Sequence, residues 1–201
     1  DDTLLVSVML ANNEIGVIQP ISEVATLCRA QGVTLHSDAA QAFGHIPLDS
    51  KSLGADCLSL SAHKLNGPKG IGALICNPDL PIEPLQWGGG QERGLRPGTL
   101  PVPLIIGFAK AAELARSDLA SRSQRLEGLR NRLWEGLKQR QPTVLLNGDA
   151  MARLPHNLNI TIPGVSGSKL HRALRSRVAC SSGSACSRGE PSHVLMALGR
   201  S

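Results

Sequence analysis

The sequence predicts an α/β protein: a mainly parallel sheet with flanking helices, followed by part of a small C-terminal α+β domain. Three observations carry this. Residues 4–37 alternate strand, loop, helix and strand, as a parallel βαβ unit requires. Two further strands follow around a glycine-rich segment. After a stretch broken by proline and glycine, a long helical pattern leads into short strands interleaved with helices.

Residues 4–9 form an aliphatic run that ends in Asn12-Asn13-Glu14-Ile15-Gly16, a buried strand leaving into a polar loop. Pro20 opens a helical pattern with Ile21, Val24, Ala25, Leu27 and Cys28 on one face, and Gly32 stops it. Residues 33–37 are the next strand; 56–61 and 72–76 are two more, with Asn66-Gly67-Pro68-Lys69-Gly70 between them. From Pro78 to Pro103 the chain is too interrupted for a regular element and reads as a long ordered loop or crossing segment. Residues 104–139 carry one long helical pattern, with Leu126, Leu129, Leu133 and Leu137 at spacings of three and four, and Pro142 ends it. Residues 144–146 and 158–162 read as strands, 168–177 as a helix and 191–198 as the start of another. The expected organisation is a large-domain portion over 1–110, a connecting helix over 111–140 and a small-domain portion over 141–201.

The 201 residues, 41% of them hydrophobic, suffice to bury a core. The net charge of +5 is unevenly spread. Residues 1–100 hold 6 basic and 10 acidic side chains, and residues 101–201 hold 15 and 6, so the basic excess belongs to the second half. Much of it lies on the helical pattern, where Arg122, Arg125, Arg130 and Arg132 read as a solvated face. With no Tyr, and with Phe43, Trp87, Phe108 and Trp134 as the only aromatics, the chain lacks the stacking platform of a single-strand nucleic-acid binder. The five cysteines form no CxxC pair and cannot all pair with one another, which argues against a disulfide scaffold. No apolar run reaches the ~20 residues of a membrane span, and no charged-then-apolar leader opens the chain. A cytoplasmic setting is expected, with no nucleic acid and no membrane as partners.

Chemistry concentrates at two strand ends. Asp38 follows the strand over 33–37, and Ser61-Ala62-His63-Lys64 follows the strand over 56–61, where ligands bind in open α/β sheets. A lysine leaving a buried strand sheds part of its hydration, and its free amine is a nucleophile for carbonyls. Alone, Lys64 reads as a surface loop lysine and Asp38 as a turn cap. Together, an amine and a carboxylate so placed are the two groups that a pyridoxal phosphate enzyme needs most. His63 also fits a general acid or base. His36 and Asp38 share a strand face, but with no third ligand at suitable spacing no metal site is expected. Lys69 reads as a loop charge. Cys28, Cys57 and Cys76 fall on helix or strand faces as small apolar side chains, and Cys180 is expected in a core position at a strand end. Cys186 differs. It lies in Gly183-Ser184-Ala185-Cys186-Ser187-Arg188-Gly189, a small-residue loop in which Arg188 and the following helix start would favour a thiolate.

Five segments in order carry a resemblance: Asn12-Asn13-Glu14-Ile15-Gly16, His36-Ser37-Asp38-Ala39-Ala40-Gln41, Ser61 to Gly70, Gly88 to Thr99, and Ser181-Ser182-Gly183-Ser184-Ala185-Cys186. With them the chain resembles the cysteine desulfurases, the NifS- and IscS-like group of the class-V aminotransferases, pyridoxal phosphate enzymes of fold type I. The resemblance implies that Lys64 holds pyridoxal 5'-phosphate covalently and Asp38 keeps its ring nitrogen protonated. Asn12 and Gln41 match positions that contact the ring and its 3-oxygen, and Ser61 and His63 match phosphate ligands. Thr99 matches a residue that reaches the phosphate of a partner subunit, which implies a homodimer and gives the Pro/Gly-rich segment a crossing role. Cys186 would attack the sulfur of L-cysteine and carry it as a persulfide, releasing L-alanine and supplying an acceptor or scaffold protein in iron-sulfur cluster or other thio-cofactor assembly.

The resemblance begins inside the large domain and stops before the arginine that grips the substrate carboxylate. The chain is therefore expected to be an excerpt lacking both termini, inactive alone. Only three residues separate Cys186 from Glu190-Pro191, a short tether for the group. Two rival readings stay open here. One is a pyridoxal phosphate lyase acting on cysteine, cystine or selenocysteine without an enzyme persulfide. The other is a basic binding module using the Arg-rich helix.

Overall fold

Apolar residues at alternate positions set the sheet. In the computed structural model, which describes residues 2–180 and 192–200, four strands form one sheet: β1 (Leu5–Met9), β2 (Thr34–Asp38), β3 (Cys57–Ser61) and β4 (Gly72–Cys76), in spatial order β1-β2-β3-β4. β2 buries Leu35 and Ser37 and β3 buries Cys57, Leu58 and Leu60, whereas β1, expected as a buried strand, lies at the end of the sheet order and has no buried residue. His36 and Ser59 are half-buried and Asp38 exposed. β1, β2 and β3 run parallel, as the sequence predicts, and β4 runs antiparallel to β3. The reversal has a simple cause: the connection over residues 62–71 is shorter than the dozen or so residues that a parallel crossover needs.

Helix α1 (Ile21–Ala30) makes the crossover from β1 to β2; it buries Ile21, Ala25 and Cys28 and packs on β2. Between β2 and β3 lies a short helix that sequence periodicity does not reveal, α2 (Ser50–Leu53). It forms because the Asp49 carboxylate accepts hydrogen bonds from the N–H groups of Lys51 and Ser52, which also hold that carboxyl below the usual range.

The helical pattern over residues 104–139 is two helices rather than one, α3 (Val102–Ser117) and α4 (Leu119–Arg140). The break falls at Asp118, whose backbone (φ −113°, ψ 8°) has left the helix. Aspartate competes poorly for interior helix positions because its carboxylate draws nearby backbone groups away from the helical ladder. α3 buries Ala111 and Ala115, one turn apart, with Leu65, Phe43 and Phe108 around them; the two phenylalanine rings meet edge to face at 6.4 Å.

The chain divides into two units. One comprises Asp1–Leu10 and Pro20–Leu119 and holds the four-stranded sheet; the other comprises Ala11–Gln19 and Ala120–Ser201. The second holds most of α4, the antiparallel pair β5 (Leu145–Leu146) and β6 (Ile160–Thr161), α5 (Gly167–Leu174) and α6 (His193–Ala197). The segment Ala11–Gln19 belongs to it through backbone bonds, Ile18 N–H to the Ala152 carbonyl at 2.8 Å and Leu154 N–H to the Gly16 carbonyl at 2.8 Å.

Much of this second core is polar. Asn147 is fully buried and donates to Asn159 Oδ1 at 2.8 Å and to Thr161 Oγ1 at 2.9 Å. Arg153 is buried, and its guanidinium donates to three main-chain carbonyls, those of Asp149, Asn147 and Asn157. Burial lowers its pKa, the nearby Arg130 adds to the effect, and Asp149 opposes it. A guanidinium keeps its proton even so, and the carbonyl dipoles offset its desolvation.

Candidate functional site

Because β1, β2 and β3 are parallel, their carboxyl ends lie along one edge of the sheet, and the antiparallel β4 starts at that edge, with Gly72 opposite Ser61. In an open α/β sheet this is the ligand-binding edge. Asp38 is the last residue of β2, and its Oδ1 accepts from the Ala40 N–H at 2.9 Å. Gln41 lies half-buried in the turn that follows. Ser61 ends β3, on the sheet face shared by Asp38 and its register partner Ser59. His63 and Lys64 lie on a 3-10 turn, Ala62–Leu65, directly beyond, and both are exposed.

This turn is held from below. Leu65 and Ala62 are buried, Leu65 in the cluster under α3. Gly67 lets the chain come close enough: a Cβ there would stand 2.9 Å from the Ala62 carbonyl oxygen and 3.1 Å from Ala111 Cβ. Asn66, in the left-handed region at φ 61°, ends the turn and returns its N–H to the Ala62 carbonyl. The Lys64 main-chain carbonyl pairs with His45 Nε2 at 3.2 Å. Lys64 therefore presents an exposed side chain from a fixed base.

The Ser61 hydroxyl and His63 Nδ1 are hydrogen-bonded at 2.8 Å, a hydroxyl and an imidazole that together can offer donors to an anion. On the same sheet face His36 bridges three strands, Nδ1 to Ser7 Oγ at 2.8 Å and Nε2 to Ser59 Oγ at 3.1 Å. That fixes the ring across the middle of the sheet, one pair back from Asp38.

Five of the residues named from sequence, Asp38, Gln41, Ser61, His63 and Lys64, thus share one edge of one unit. Thr99 follows a separate loop of that unit, in which Gln91 Oε1 accepts from the Gly98 N–H at 3.1 Å and Glu92 and Arg93 are held at positive φ. Asn12 belongs to the second unit. It is buried, and its Oδ1 accepts from the N–H groups of Glu14 and Ile15 at 2.9 and 3.0 Å, an Asx turn that shapes the loop. Cys186 lies outside the described residues.

The other cysteines sort by environment. Cys28 and Cys57 are buried and Cys76 half-buried, as their helix and strand positions predict. Burial pushes the Cys57 thiol up, with Cys76 and Asp56 adding to the effect. Cys180 is the exception. It is exposed, in irregular chain after α5, rather than in the core at a strand end. The run from Ser168 that reads as helix to Arg177 stops at Leu174, and the described residues from there to Cys180 are irregular chain. Among described residues no cluster of three or more His, Cys, Asp or Glu side chains could hold a metal ion, and no helix is long and apolar enough to cross a membrane.

Sequence reasoning missed His45 and Glu14. His45 gives no local signal, since its partner is a main-chain carbonyl. Glu14 does give one, an acid beside apolar Ile15 that turns out to be buried.

The donor set at the sheet edge fits pyridoxal phosphate: a carboxylate for a ring N–H, an amine for an aldehyde, and a hydroxyl–imidazole pair for a phosphate. Comparison with known proteins agrees. The chain is 49% identical to the cysteine desulfurase IscS of Photorhabdus laumondii over 203 aligned residues, covering 99% of this chain and 50% of that protein. Its match to IscS of Aeromonas salmonicida has the same identity and coverage. The chain thus spans about half the length of the curated relatives it matches. Among solved structures, a NifS-like protein from Rickettsia africae superposes with a TM-score of 0.88 at 34% identity, over 99% of this chain and 53% of that one. DndA from Streptomyces lividans superposes with a TM-score of 0.80 at 41% identity, over 98% and 57%. The fold is that of the fold-type I pyridoxal phosphate enzymes. The aminotransferase class-V model matches residues 1–201, and so, by its whole length as well as by the donor set on its sheet edge, the chain belongs to the class-V aminotransferase family.

Proposed function

We propose that this chain is part of a pyridoxal 5'-phosphate-dependent cysteine desulfurase, which converts L-cysteine to L-alanine and carries the sulfur as a persulfide on Cys186. The observation that carries the reading is the placing of Asp38, Lys64 and the Ser61–His63 pair on one sheet edge, in a chain 49% identical to cysteine desulfurases.

In this reading Lys64 Nζ binds the cofactor aldehyde and Asp38 holds a proton at the ring nitrogen. Ser61 and His63 bind the phosphate, while Asn12 and Gln41 orient the ring. Bound there, pyridoxal phosphate supplies an electron sink for the carbanion character that develops on the substrate. With the cofactor held there, the Lys64 amine would be the group suited to move the substrate α-proton. The Cys186 thiolate attacks the substrate sulfur: an S–S bond forms as the C–S bond breaks, and the carbon takes up a proton to become alanine. The persulfide then passes to an acceptor or scaffold protein of iron-sulfur cluster or thio-cofactor assembly, or is released by a thiol. Thr99 serves the phosphate of a partner subunit, so the working form is a homodimer. A reducing, cytoplasmic setting suits this chemistry, which needs Cys186 as a free thiolate.

Borohydride treatment of the full-length protein, followed by peptide mass spectrometry, tests the assignment of Lys64. The cofactor is expected as a stable adduct on Lys64, and Lys64→Ala is expected to carry none. An adduct on Lys69, or cofactor retained covalently by Lys64→Ala, would overturn the assignment. Alanine formation in a protein that never accumulates sulfur on Cys186 would favour the lyase reading, which the short interval between Cys186 and Pro191 keeps in contention.

A further inference from the structure

Two thiols that the chemistry just described does not use face each other across β3 and β4. Cys57 opens β3 and Cys76 closes β4, and the register sets them directly opposite, as it sets Ser61 opposite Gly72 at the other end of the same pair. Two backbone bonds decide what kind of position they hold. The Asn77 N–H donates to the Asp56 carbonyl at 2.8 Å, and the Ala62 N–H donates to the Ile71 carbonyl at 3.2 Å. Along an antiparallel ladder, hydrogen-bonded pairs alternate with non-hydrogen-bonded ones. Asp56 with Asn77 and Ala62 with Ile71 are of the first kind, so Cys57 with Cys76 is of the second.

In such a pair the Cα atoms stand about 4.5 Å apart and the two side chains leave the sheet on the same face, a separation that a disulfide spans. Both residues are free thiols, Cys57 buried and Cys76 half-buried. Burial raises the Cys57 pKa, and Cys76 raises it further, so each thiol feels the other. Among the described strands β4 has β3 as its one neighbour, and its hold on the sheet is that single ladder.

We propose, independently of the desulfurase reading, that Cys57 and Cys76 form a site of reversible oxidation, which a low-molecular-weight disulfide closes into a cross-strand disulfide that clamps β4 to β3. Attack begins at Cys76, the less buried of the two. Its thiolate bonds to one sulfur of the small disulfide, whose S–S bond breaks, and the other sulfur leaves as a thiolate. Cys57 then gives up its proton and attacks the Cys76 sulfur, displacing the second small thiol. The two protein thiols are oxidised, the small disulfide is reduced to two thiols, and those thiols take up the two protons. A raised pKa protects Cys57 from reagents in solution, but a sulfur held opposite it on the neighbouring strand reacts as if highly concentrated. The closed form makes a covalent loop of residues 58–75, the segment that carries Ser61, His63 and Lys64. The clamp lies at the end of the strand pair away from Ser61, so it holds the pair together without touching the site.

The test exposes the full-length, cofactor-loaded protein to oxidised glutathione, blocks the remaining thiols with iodoacetamide after unfolding, and maps the unreduced peptides by mass spectrometry. The expected product is a peptide linking Cys57 to Cys76, which dithiothreitol separates. Cys57→Ser is expected to stop at glutathione on Cys76, and Cys76→Ser is expected to leave Cys57 a free thiol. Wild-type protein that keeps Cys57 as a thiol, that keeps glutathione on Cys76, or that pairs either residue with another cysteine would overturn the proposal. Glutathione on Cys57 in Cys76→Ser would overturn the order of attack. Hydrogen exchange reads the clamp: the β4 amides are expected to exchange about tenfold more slowly in the oxidised protein and to recover their rate on reduction. Equal exchange in the two forms, with the link present, would show that the disulfide does not hold β4.

Discussion

Cys57 and Cys180 show how local environment, more than residue type, decides what a thiol does. Cys57 sits on β3 between its register partners His36 and Cys76, buried, and loss of hydration raises its pKa. The reactive form of cysteine is the thiolate, so at pH 8 the Cys57 side chain stays a protonated apolar group. Iodoacetamide at that pH is expected to leave Cys57 unmodified in the native full-length protein and to modify it once urea has unfolded the chain, as read by peptide mass spectrometry. Equal rates before and after unfolding would show that burial does not protect it. Cys180 has no such shelter, and its exposure corrects the expectation that an unpaired cysteine packs inside. Glu14 makes the converse point. Its carboxylate, in a loop segment, is buried against Ser192, a partner 178 residues further along the chain.

Among the elements, those bounded by turn chemistry were legible and those set by topology were not. Pro20 and Gly32 bracket α1, which spans Ile21–Ala30, and the alternation through Leu35 and Ser37 fixed β2 to within a residue. The direction of β4 was not legible, because pairing direction depends on the length and path of the connection rather than on the strand's own residues. α2 escaped because four residues show no helical period, and the Asp118 break escaped because the apolar spacing continues past it. β4 also offers a test of how the site edge is held. It starts at Gly72, opposite Ser61, and a Cβ there would come within 2.5 Å of the Leu60 carbonyl oxygen, an atom that a side-chain rotation cannot move away. Gly72→Ala is therefore expected to push β4 from β3 and destabilise the protein by about 1–3 kcal/mol, as overpacking typically does. Because Ser61 is the paired residue, cofactor affinity is expected to fall with stability. A variant with unchanged midpoint in urea denaturation and unchanged cofactor affinity would show that this contact is not needed.

At the scale of the whole molecule, the uneven charge gains a meaning. The acidic half carries the sheet edge with Asp38 and Lys64, and the basic half carries α4 and most of the second unit. Parallel strands deliver Asp38, Ser61, His63 and Lys64 to one edge because their directions agree, and α3 with Leu65 and Gly67 fixes the turn on which Lys64 stands. These placements were readable in sequence because each residue ends a strand or lies within three positions of a strand's end. Asn12 and Thr99 were read instead from their motifs, and the assignment of Cys186 rests on sequence alone. The central claim is that sulfur leaves L-cysteine onto Cys186 in a protein whose cofactor is held by Lys64. The direct measurement is mass spectrometry of the full-length, cofactor-loaded protein after brief exposure to L-cysteine, with sulfide release followed in parallel for Cys186→Ala. The account predicts one added sulfur on the Cys186 peptide, and a Cys186→Ala variant that keeps the cofactor yet releases almost no sulfide; undiminished sulfide release from that variant would contradict it.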